Sequence, residues 1–243
     1  MNDNNEILII GHAGGKKTGP ENTLKAFNKA LELKADYIEL DLRMSKDNEV
    51  IIFHDPDTFN ITAEPGLVKN KTLKELKKLD VGEGERIPTF REIIEFANNK
   101  INLLLHIAAA NMEDKIINLL KEYNYIDTTI ISCMVHRYLF KFRDLEPNLK
   151  LAALENLHSD GLIKWDVRRK LIDKAINNKF YAINPEYHLV DAQFISYAHQ
   201  KNLKVFPWTI NEQRIMRKLV ALGVDGIITD DIALLNQVLS NSY

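Results

Sequence analysis

The feature that most constrains the fold of this chain is a regular alternation of short apolar runs with longer amphipathic stretches. Nearly continuous apolar runs are typical of parallel strands covered on both faces, and the amphipathic stretches predict the covering helices. The predicted strands are Glu6–Ile10, Tyr37–Leu42, Val50–Phe53, Ile101–Ile107, Thr128–Ser132, Lys150–Leu154, Phe180–Asn184, Lys204–Trp208 and Gly226–Thr229. The predicted helices between them are Glu21–Leu33, Asn111–Lys121, Arg137–Asp144, Asp166–Asn177, Asp191–Gln200, Asn211–Leu222 and Asp231–Leu239.

The third predicted strand cannot run parallel to the second. Only the seven residues from Arg43 to Glu49 separate the two strands, whereas a parallel connection needs about a dozen residues or more. We therefore expect Val50–Phe53 to return antiparallel, through a hairpin turn centred between Lys46 and Asp47. This hairpin opens an insertion over residues 44–99, in which Thr72-Leu73-Lys74-Glu75 and Thr89-Phe90-Arg91-Glu92 each match a helix capping box.

The remaining eight strands predict a (β/α)₈ TIM barrel that forms a single domain over residues 1–243, with the small insertion after strand two. A doubly wound open sheet is the competing architecture. That fold usually carries a glycine-rich phosphate-binding loop after its first strand. The segment Gly11-His12-Ala13-Gly14-Gly15 has glycines without the required spacing, so we favour the barrel.

Composition fits one compact domain and excludes several function classes. The chain has 243 residues, of which 45% are apolar, with a net charge of −2. We expect no nucleic-acid partner, because no basic surface is indicated, and no stable membrane insertion, because no apolar run spans a bilayer. The single Cys133 excludes an intrachain disulfide and a thiolate zinc site. We predict a cytoplasmic protein, and the sequence does not indicate its oligomeric state.

Chemistry-bearing residues cluster where the predicted strands end. Glu39 and Asp41 lie two residues apart in one strand, so both face the barrel interior together with Arg43. Adjacent carboxylates repel each other unless a cation lies between them. The sequence therefore leaves two interpretations open: a site for an oxygen-ligated divalent cation such as Mg²⁺ or Ca²⁺, or an ion network with Arg43.

Two histidines are predicted close to this acidic pair. His12 ends the neighbouring first strand, and the predicted hairpin places His54 directly opposite Glu39. The unperturbed pKa of a histidine, about 6.5, suits proton transfer in both directions near neutrality. Two imidazoles beside paired carboxylates therefore indicate acid–base catalysis.

The order and spacing of these motifs resemble those of the glycerophosphodiester phosphodiesterase family, whose pattern reads HRG, PENT, E-x-D and HD. The matching segments are His12-Ala13-Gly14, Pro20-Glu21-Asn22-Thr23, Glu39-Leu40-Asp41, His54-Asp55, Ile87-Pro88-Thr89, Trp208-Thr209-Ile210-Asn211 and Gly223-Val224-Asp225-Gly226-Ile227-Ile228-Thr229-Asp230. The resemblance covers essentially the whole chain, and it also implies a TIM barrel with an insertion after strand two.

The resemblance implies a metal-assisted hydrolysis of a small-molecule glycerophosphodiester to an alcohol and glycerol 3-phosphate. It makes His12 and His54 the general acid and base, and it makes Glu39 and Asp41 ligands of a divalent cation, usually Mg²⁺ or Ca²⁺. It also places Trp208 in the substrate pocket near the mouth of the barrel.

Three charged positions of the family pattern are altered here. Ala13 replaces the arginine of HRG, and Leu105-His106-Ile107-Ala108 replaces the usual I-E-I-K, so that a glutamate and a lysine are missing. Such groups hold phosphate through charge-assisted hydrogen bonds. We expect partial compensation from a ring nitrogen of His106 as a metal ligand, which shifts the preference toward Mn²⁺ or Zn²⁺, and from Arg43 and Lys16 as phosphate-binding residues, with Lys17 a further candidate.

Three functions remain open from the sequence. The first is a working glycerophosphodiester phosphodiesterase with an altered phosphate site. The second is a catalytically weak or inactive homologue that binds a phosphodiester or another ligand. The third is a metal-dependent phospholipase that acts on lipid headgroups. It ranks last because such phospholipases are secreted and disulfide-bonded, whereas this chain has a single cysteine.

Overall fold

A parallel sheet of eight strands forms the centre of the molecule. The computed structural model describes residues 7–157 and 163–241. The strands are β1 (Leu8–Gly11), β2 (Tyr37–Met44), β3 (Val50–Ile52), β4 (Asn102–Ile107), β5 (Thr129–Cys133), β6 (Lys150–Glu155), β7 (Ala182–Pro185), β8 (Lys204–Val205) and β9 (Gly226–Thr229). All nine strands follow the predictions within a few residues; Glu6, the predicted start of the first, lies outside the described residues.

The sheet curves round into a barrel. Its strand order is β8-β7-β6-β5-β4-β2-β1-β9, and every neighbouring pair is parallel. Backbone hydrogen bonds then join the two ends of this order: the Asp225 N–H donates to the Val205 carbonyl, and the Ile228 N–H donates to the Pro207 carbonyl. The predicted (β/α)₈ barrel is thus confirmed, and the open doubly wound sheet is excluded.

Ten helices lie among the described residues, and most of them cover the outside of the barrel. They are α1 (Leu24–Glu32), α2 (Phe59–Thr62), α3 (Leu73–Leu76), α4 (Phe90–Ala97), α5 (Glu113–Glu122), α6 (Arg137–Leu145), α7 (Trp165–Asn177), α8 (Ala192–His199), α9 (Gln213–Leu222) and α10 (Ile232–Ser240). No helix in these ranges is long and apolar enough to cross a bilayer.

Local side-chain caps explain where several helices begin. The Thr23 hydroxyl accepts a hydrogen bond from the Ala26 N–H at the start of α1. Both predicted capping boxes form, at Thr72 before α3 and at Thr89 before α4. Each such cap satisfies backbone donors that the first helical turn leaves without a partner.

Alternating side chains divide the buried apolar residues into two layers. Within β4, for example, Leu103 and Leu105 point outward and pack against the helices. The inward side chains of the barrel strands fill its interior, one from each strand or the residue beside it: Ile10, Tyr37, Leu104, Ile130, Ala152, Ala182, Phe206 and Ile228. The barrel is therefore a packed core, and any site has to lie above this layer.

The insertion after β2 has a small apolar core of its own. It buries Ile51, Phe53, Val68, Leu76, Leu79, Val81 and Ile87. The next helix, α4, buries Phe90, Ile93, Ile94 and Ala97 in the main core instead. This helix therefore provides the cover for β2 that the regular βα alternation requires.

The hairpin between β2 and β3 is antiparallel as predicted, but the predicted register is wrong by one residue. Leu42 pairs with Ile52, so His54 is not directly opposite Glu39. The turn contains the three residues 46–48, because the Ser45 N–H donates to the Glu49 carbonyl and Asn48 adopts a left-handed conformation with φ 63°. A three-residue loop of this kind shifts the pairing relative to a loop with an even number of residues.

Candidate active site

The residues two positions beyond the interior layer form a second ring at the carboxyl ends of the strands. Side chains two apart in a strand share a face, so this ring also points inward. Its members are His12, Glu39, His106, Ser132, Leu154, Asn184, Trp208 and Asp230. All of them except Asp230 line one open cavity at this end of the barrel, whose space is about 440 Å³ with its solvent-filled mouth included. Asp41, His54, Leu104, Met134 and Ile228 also line it.

The two carboxylates of β2 are buried at the edge of this cavity. Glu39 is 6% exposed and Asp41 is 2% exposed. Glu39 Oε2 accepts the Ala13 N–H at 2.9 Å, and Asp41 Oδ2 accepts Asn22 Nδ2 at 2.9 Å. Burial and the neighbouring charge of Asp41 raise the pKa of Glu39 to about 7. Burial opposes ionisation of Asp41 as well, but the hydrogen bond and charge of His106 hold its pKa well below the usual range.

His106 extends the acidic pair on the neighbouring strand. Its Nδ1 lies 2.8 Å from Asp41 Oδ1, because β2 and β4 pair in a register that puts these two residues side by side. Burial alone lowers the pKa of His106, but the carboxylates of Asp41 and Glu39 outweigh burial and raise it. One ligand atom from each of Glu39, Asp41 and His106 lies within 4.8 Å of the others, a spacing that suits one metal ion.

Each of the two predicted catalytic histidines is held by a carboxylate. His12 Nδ1 lies 2.7 Å from Asp230 Oδ1, and His54 Nδ1 lies 2.7 Å from Asp55 Oδ1. In both pairs the other carboxylate oxygen accepts a hydrogen bond from an asparagine, Asn211 for Asp230 at 2.6 Å and Asn60 for Asp55 at 2.9 Å. A carboxylate at Nδ1 favours the tautomer that keeps its proton there, which leaves Nε2 of each ring for a substrate.

The environment of His12 favours its charged form. Burial lowers the pKa of this imidazole, but the hydrogen bond to Asp230 and the charge of Glu39 outweigh the burial, so that the pKa is raised. His54 is more open to solvent, with half of its side chain exposed. The two rings therefore differ in environment although their partners are alike.

The three predicted substrate-binding residues have different positions. Trp208 lines the cavity, and its Nε1 donates to the backbone carbonyl of Asn184 at 2.9 Å. Arg43 is not among the lining residues: its Nε donates to the His54 carbonyl at 2.7 Å and its guanidinium also reaches the Ala108 carbonyl at 3.3 Å. Lys16 is not among them either, and it forms an ion pair with Glu21.

The predicted site omits the residues that hold its side chains in place. Asn22, which also accepts the Asp41 N–H at its Oδ1, has a left-handed backbone with φ 58°. It belongs to the Pro20–Thr23 motif, so a sequence signal for it existed. Asp230 directly follows the last strand, so its position at a strand end could also be read from the sequence. Asn211 belongs to the Trp208–Asn211 segment of the family resemblance, so a signal existed for it too, and it reaches Asp230 from 19 residues away. Asn60 contacts Asp55 from only five residues away, but we find no sequence signal for its role.

Comparison with known proteins adds independent information. The model of the glycerophosphoryl diester phosphodiesterase family matches residues 12–234. A glycerophosphodiester phosphodiesterase of Caldanaerobacter subterraneus subsp. tengcongensis is 35% identical over 240 residues, covering 93% of this chain and 95% of the relative. A putative glycerophosphodiester phosphodiesterase of Bacillus subtilis is 32% identical, with coverage of 92% and 94%.

Solved structures resemble the whole chain. A putative glycerophosphodiester phosphodiesterase from Galdieria sulphuraria superimposes with a TM-score of 0.87 at 25% identity, covering 97% of this chain and 98% of that one. An Oleispira antarctica phosphodiesterase, solved in complex with the product sn-glycerol-3-phosphate, has a TM-score of 0.85 at 23% identity, with 96% of each chain covered. The family model and the sequence relatives extend over nearly all of the barrel and its site, and the chain belongs to the glycerophosphoryl diester phosphodiesterase family.

Proposed function

We propose that this protein hydrolyses glycerophosphodiesters to an alcohol and glycerol 3-phosphate, with His12 and His54 as the acid–base pair. The observation that carries the proposal is the pair of histidines at one cavity, each with Nδ1 on a carboxylate and Nε2 left for a substrate. The substrate class follows from family membership and from the product bound to the Oleispira antarctica relative.

The residues present fit a divalent cation. Glu39 and Asp41 are buried side by side, and burial together with the charge of Asp41 raises the pKa of Glu39 although His12 and His106 oppose this rise. A cation between the two carboxylates would balance their negative charge. Carboxylate oxygens suit Mg²⁺ and Ca²⁺. Glu39 and Asp41 would hold the ion, which neutralises phosphate charge and polarises the phosphoryl group when bound.

His106 supports a different metal preference from that of a third carboxylate. With its Nδ1 hydrogen-bonded to Asp41, the ring has Nε2 left as a ligand atom for a metal. Imidazole suits Mn²⁺ and Zn²⁺ better than it suits Mg²⁺ or Ca²⁺. We therefore propose that His106 is a metal ligand. We also propose that this site prefers Mn²⁺ or Zn²⁺ over Mg²⁺ or Ca²⁺ more strongly than a site with a glutamate at this position does.

The histidines would transfer protons on the two sides of the phosphoryl group. One Nε2 accepts a proton from the attacking water as its oxygen bonds to phosphorus. The other Nε2 gives a proton to the oxygen of the leaving alcohol as the bond from that oxygen to phosphorus breaks. Asp230 and Asp55 keep each ring in the required tautomer, and the raised pKa of His12 suits the residue that begins as the acid.

Phosphate binding has to be arranged differently from the family pattern. Ala13 and Ala108 offer no charge, and Arg43 donates to two backbone carbonyls. Arg43 carries further N–H groups beyond those two contacts, and it is adjacent to the cavity-lining His54. We propose that Arg43 binds phosphate through these groups and that Lys16, which pairs with the partly buried Glu21, contributes from the loop after β1.

The test is a hydrolysis assay with glycerophosphocholine and Mg²⁺, Ca²⁺, Mn²⁺ or Zn²⁺, in which release of glycerol 3-phosphate is followed. We expect turnover that a chelator abolishes and that His12→Ala and His54→Ala each reduce by about 10²–10⁴-fold. His199→Gln is the matched control, because His199 also pairs with an aspartate, Asp225 at 2.8 Å, but away from the cavity.

A weak or inactive homologue is the second candidate, because three charged positions of the family pattern are missing. Binding of glycerol 3-phosphate without turnover with any of the four metals would favour it. The cytoplasmic location, the lack of a nucleic-acid partner and the single-domain organisation over residues 1–243 stay predictions.

A further inference from the structure

One buried polar side chain at the cavity lacks a hydrogen-bond partner among the residues that the structure describes. Asn184 is 1% exposed, and neither its Oδ1 nor its Nδ2 has a hydrogen-bond partner among the described residues. Buried amides are nearly always hydrogen-bonded, because leaving them without a partner costs free energy. A carboxamide kept in this state beside a cavity indicates that a ligand completes its hydrogen bonds.

The position of Asn184 places it across the barrel from the acidic pair. Its strand, β7, is separated from β2 by β6, β5 and β4 on one side and by β8, β9 and β1 on the other. Asn184 follows the inward-facing Ala182 by two residues, so its side chain points into the interior at the level of the cavity. A substrate whose phosphate is bound at a cation held by Glu39 and Asp41 therefore has Asn184 on the opposite wall of the same cavity.

The chemistry of the carboxamide selects what it can bind. It offers one acceptor and two donors, whereas a phosphate diester offers acceptors alone and would leave Oδ1 facing negative oxygens. A hydroxyl both donates and accepts, so it satisfies Oδ1 or Nδ2, and neighbouring hydroxyls satisfy both. Leu154, Trp208 and Ile228 surround the cavity with apolar surface that fits the carbon atoms of a small polyol.

The backbone beside Asn184 is held in place by its neighbour. The indole Nε1 of Trp208 donates to the Asn184 carbonyl, so this indole cannot supply the missing donor to a ligand. The register of β6 with β7 also pairs Leu154 with Asn184. The carboxamide is thus the polar group that this side of the cavity presents, next to apolar side chains.

We infer that Asn184 is a specificity-determining residue that hydrogen-bonds the hydroxyl groups of the glycerol moiety. The inference rests on the proposed function for its substrate and adds the residue that distinguishes a glycerol diester from a diester without hydroxyls. A site that hydrogen-bonds a substrate hydroxyl discriminates strongly against analogues that lack it, because the protein group is then left without a partner.

The test compares two substrates in wild-type protein and in Asn184→Leu, which keeps a similar shape but removes both polar atoms. For glycerophosphocholine, we expect kcat/KM to fall roughly 10- to 100-fold, the range for one or two lost hydrogen bonds. For bis(4-nitrophenyl) phosphate, which has no hydroxyl, we expect a change below about threefold. An equal loss with both substrates, or no loss with glycerophosphocholine, would overturn the inference.

Thr129→Val is the matched control. The Thr129 hydroxyl is another buried polar atom without a partner among the described residues, but it does not line the cavity. We expect this variant to hydrolyse both substrates as wild type does. Neither substitution removes a side-chain hydrogen bond within residues 7–157 and 163–241, so we expect both proteins to unfold at or above the wild-type temperature.

Binding separates this inference from the proposed function. Calorimetry measures the affinity of metal-loaded protein for glycerol 3-phosphate and for inorganic phosphate. Asn184→Leu should weaken the first by about 10-fold or more and leave the second unchanged. That result without turnover would contradict the proposed function and support the role of Asn184. Wild-type protein that binds both ligands equally tightly would overturn the inference, even if it hydrolyses glycerophosphodiesters.

Discussion

Asp230→Asn is the substitution that most directly tests how His12 is oriented. Asp230 accepts from His12 Nδ1 through Oδ1 and from Asn211 Nδ2 through Oδ2, and its own N–H donates to Asn211 Oδ1. The last contact fixes which way the Asn211 amide points. An asparagine at position 230 has one acceptor oxygen for two neighbours that both donate. It therefore either faces Asn211 with an NH₂ group or presents that group to His12.

In the second arrangement His12 loses the carboxylate that favours its charged form, so the neutral ring with its proton on Nε2 is a weaker acid toward the leaving oxygen. Acid–base catalysis of this kind contributes about 10²–10⁴ to the rate. Part of this contribution survives in the first arrangement, in which Nδ1 of His12 keeps its proton. We therefore expect kcat to fall by roughly 10²–10³, or about 2.7–4 kcal/mol in activation free energy, with KM nearly unchanged. His12→Ala sets the lower limit of activity, because Asp230 acts through this ring.

The assay follows release of glycerol 3-phosphate at saturating glycerophosphocholine and a fixed metal concentration. Asp231→Asn is the control for the charge change, because Asp231 caps α10 through the Leu234 N–H and asparagine is an equally good N-cap. If Asp230→Asn keeps kcat within about threefold of wild type while His12→Ala loses activity, the carboxylate does not orient the ring and our reasoning fails.

Three further predictions concern the metal site and the core beneath it. Because the pKa of Glu39 is raised to about 7, the metal-free protein holds a proton on this carboxylate at pH 6. Metal binding at pH 6 should therefore release about one proton or more, and the apparent metal affinity should rise with pH until about 7. Calorimetry in buffers of different ionisation enthalpy measures the proton release, and its absence at pH 6 would contradict this prediction. His106→Glu should shift the preference measured by metal titration from Zn²⁺ or Mn²⁺ toward Mg²⁺ or Ca²⁺, because oxygen replaces nitrogen as the third ligand; an unchanged preference would show that His106 is not a ligand. Phe206→Ala should lower the free energy of unfolding by about 3–5 kcal/mol, because Phe206 is fully buried in the barrel interior; urea denaturation measures the loss, and Val135→Ala on the surface should cost less than about 1 kcal/mol.

The sequence was sufficient for the architecture because its signals are local. Apolar runs and amphipathic stretches follow the periods of strand and helix, and Thr72 and Thr89 mark helix starts through contacts three residues away. The antiparallel return of β3 followed from the short connection between the second and third strands alone. The inward direction of Glu39 and Asp41 followed from the two-residue period of a strand.

The register of the hairpin needed the structure. Whether a turn holds an even or an odd number of residues depends on the backbone of one residue, and Asn48 adopts the left-handed conformation that produces a three-residue loop. Phe53 still donates to the Asp41 carbonyl of β2, and the chain bends from His54 onward, where His54 lines the cavity.

What the sequence by itself determined is therefore the barrel, the insertion and the identity of the groups at the strand ends. What only the tertiary structure decided is which of these groups meet. The contact between His12 and Asp230 joins residues 218 positions apart and exists because β9 closes the barrel against β1. Asn184 faces the acidic pair because three strands on either side of the closed barrel separate β7 from β2. These contacts and facing positions depend on how the whole sheet curves, and no local pattern in the sequence encodes that curvature.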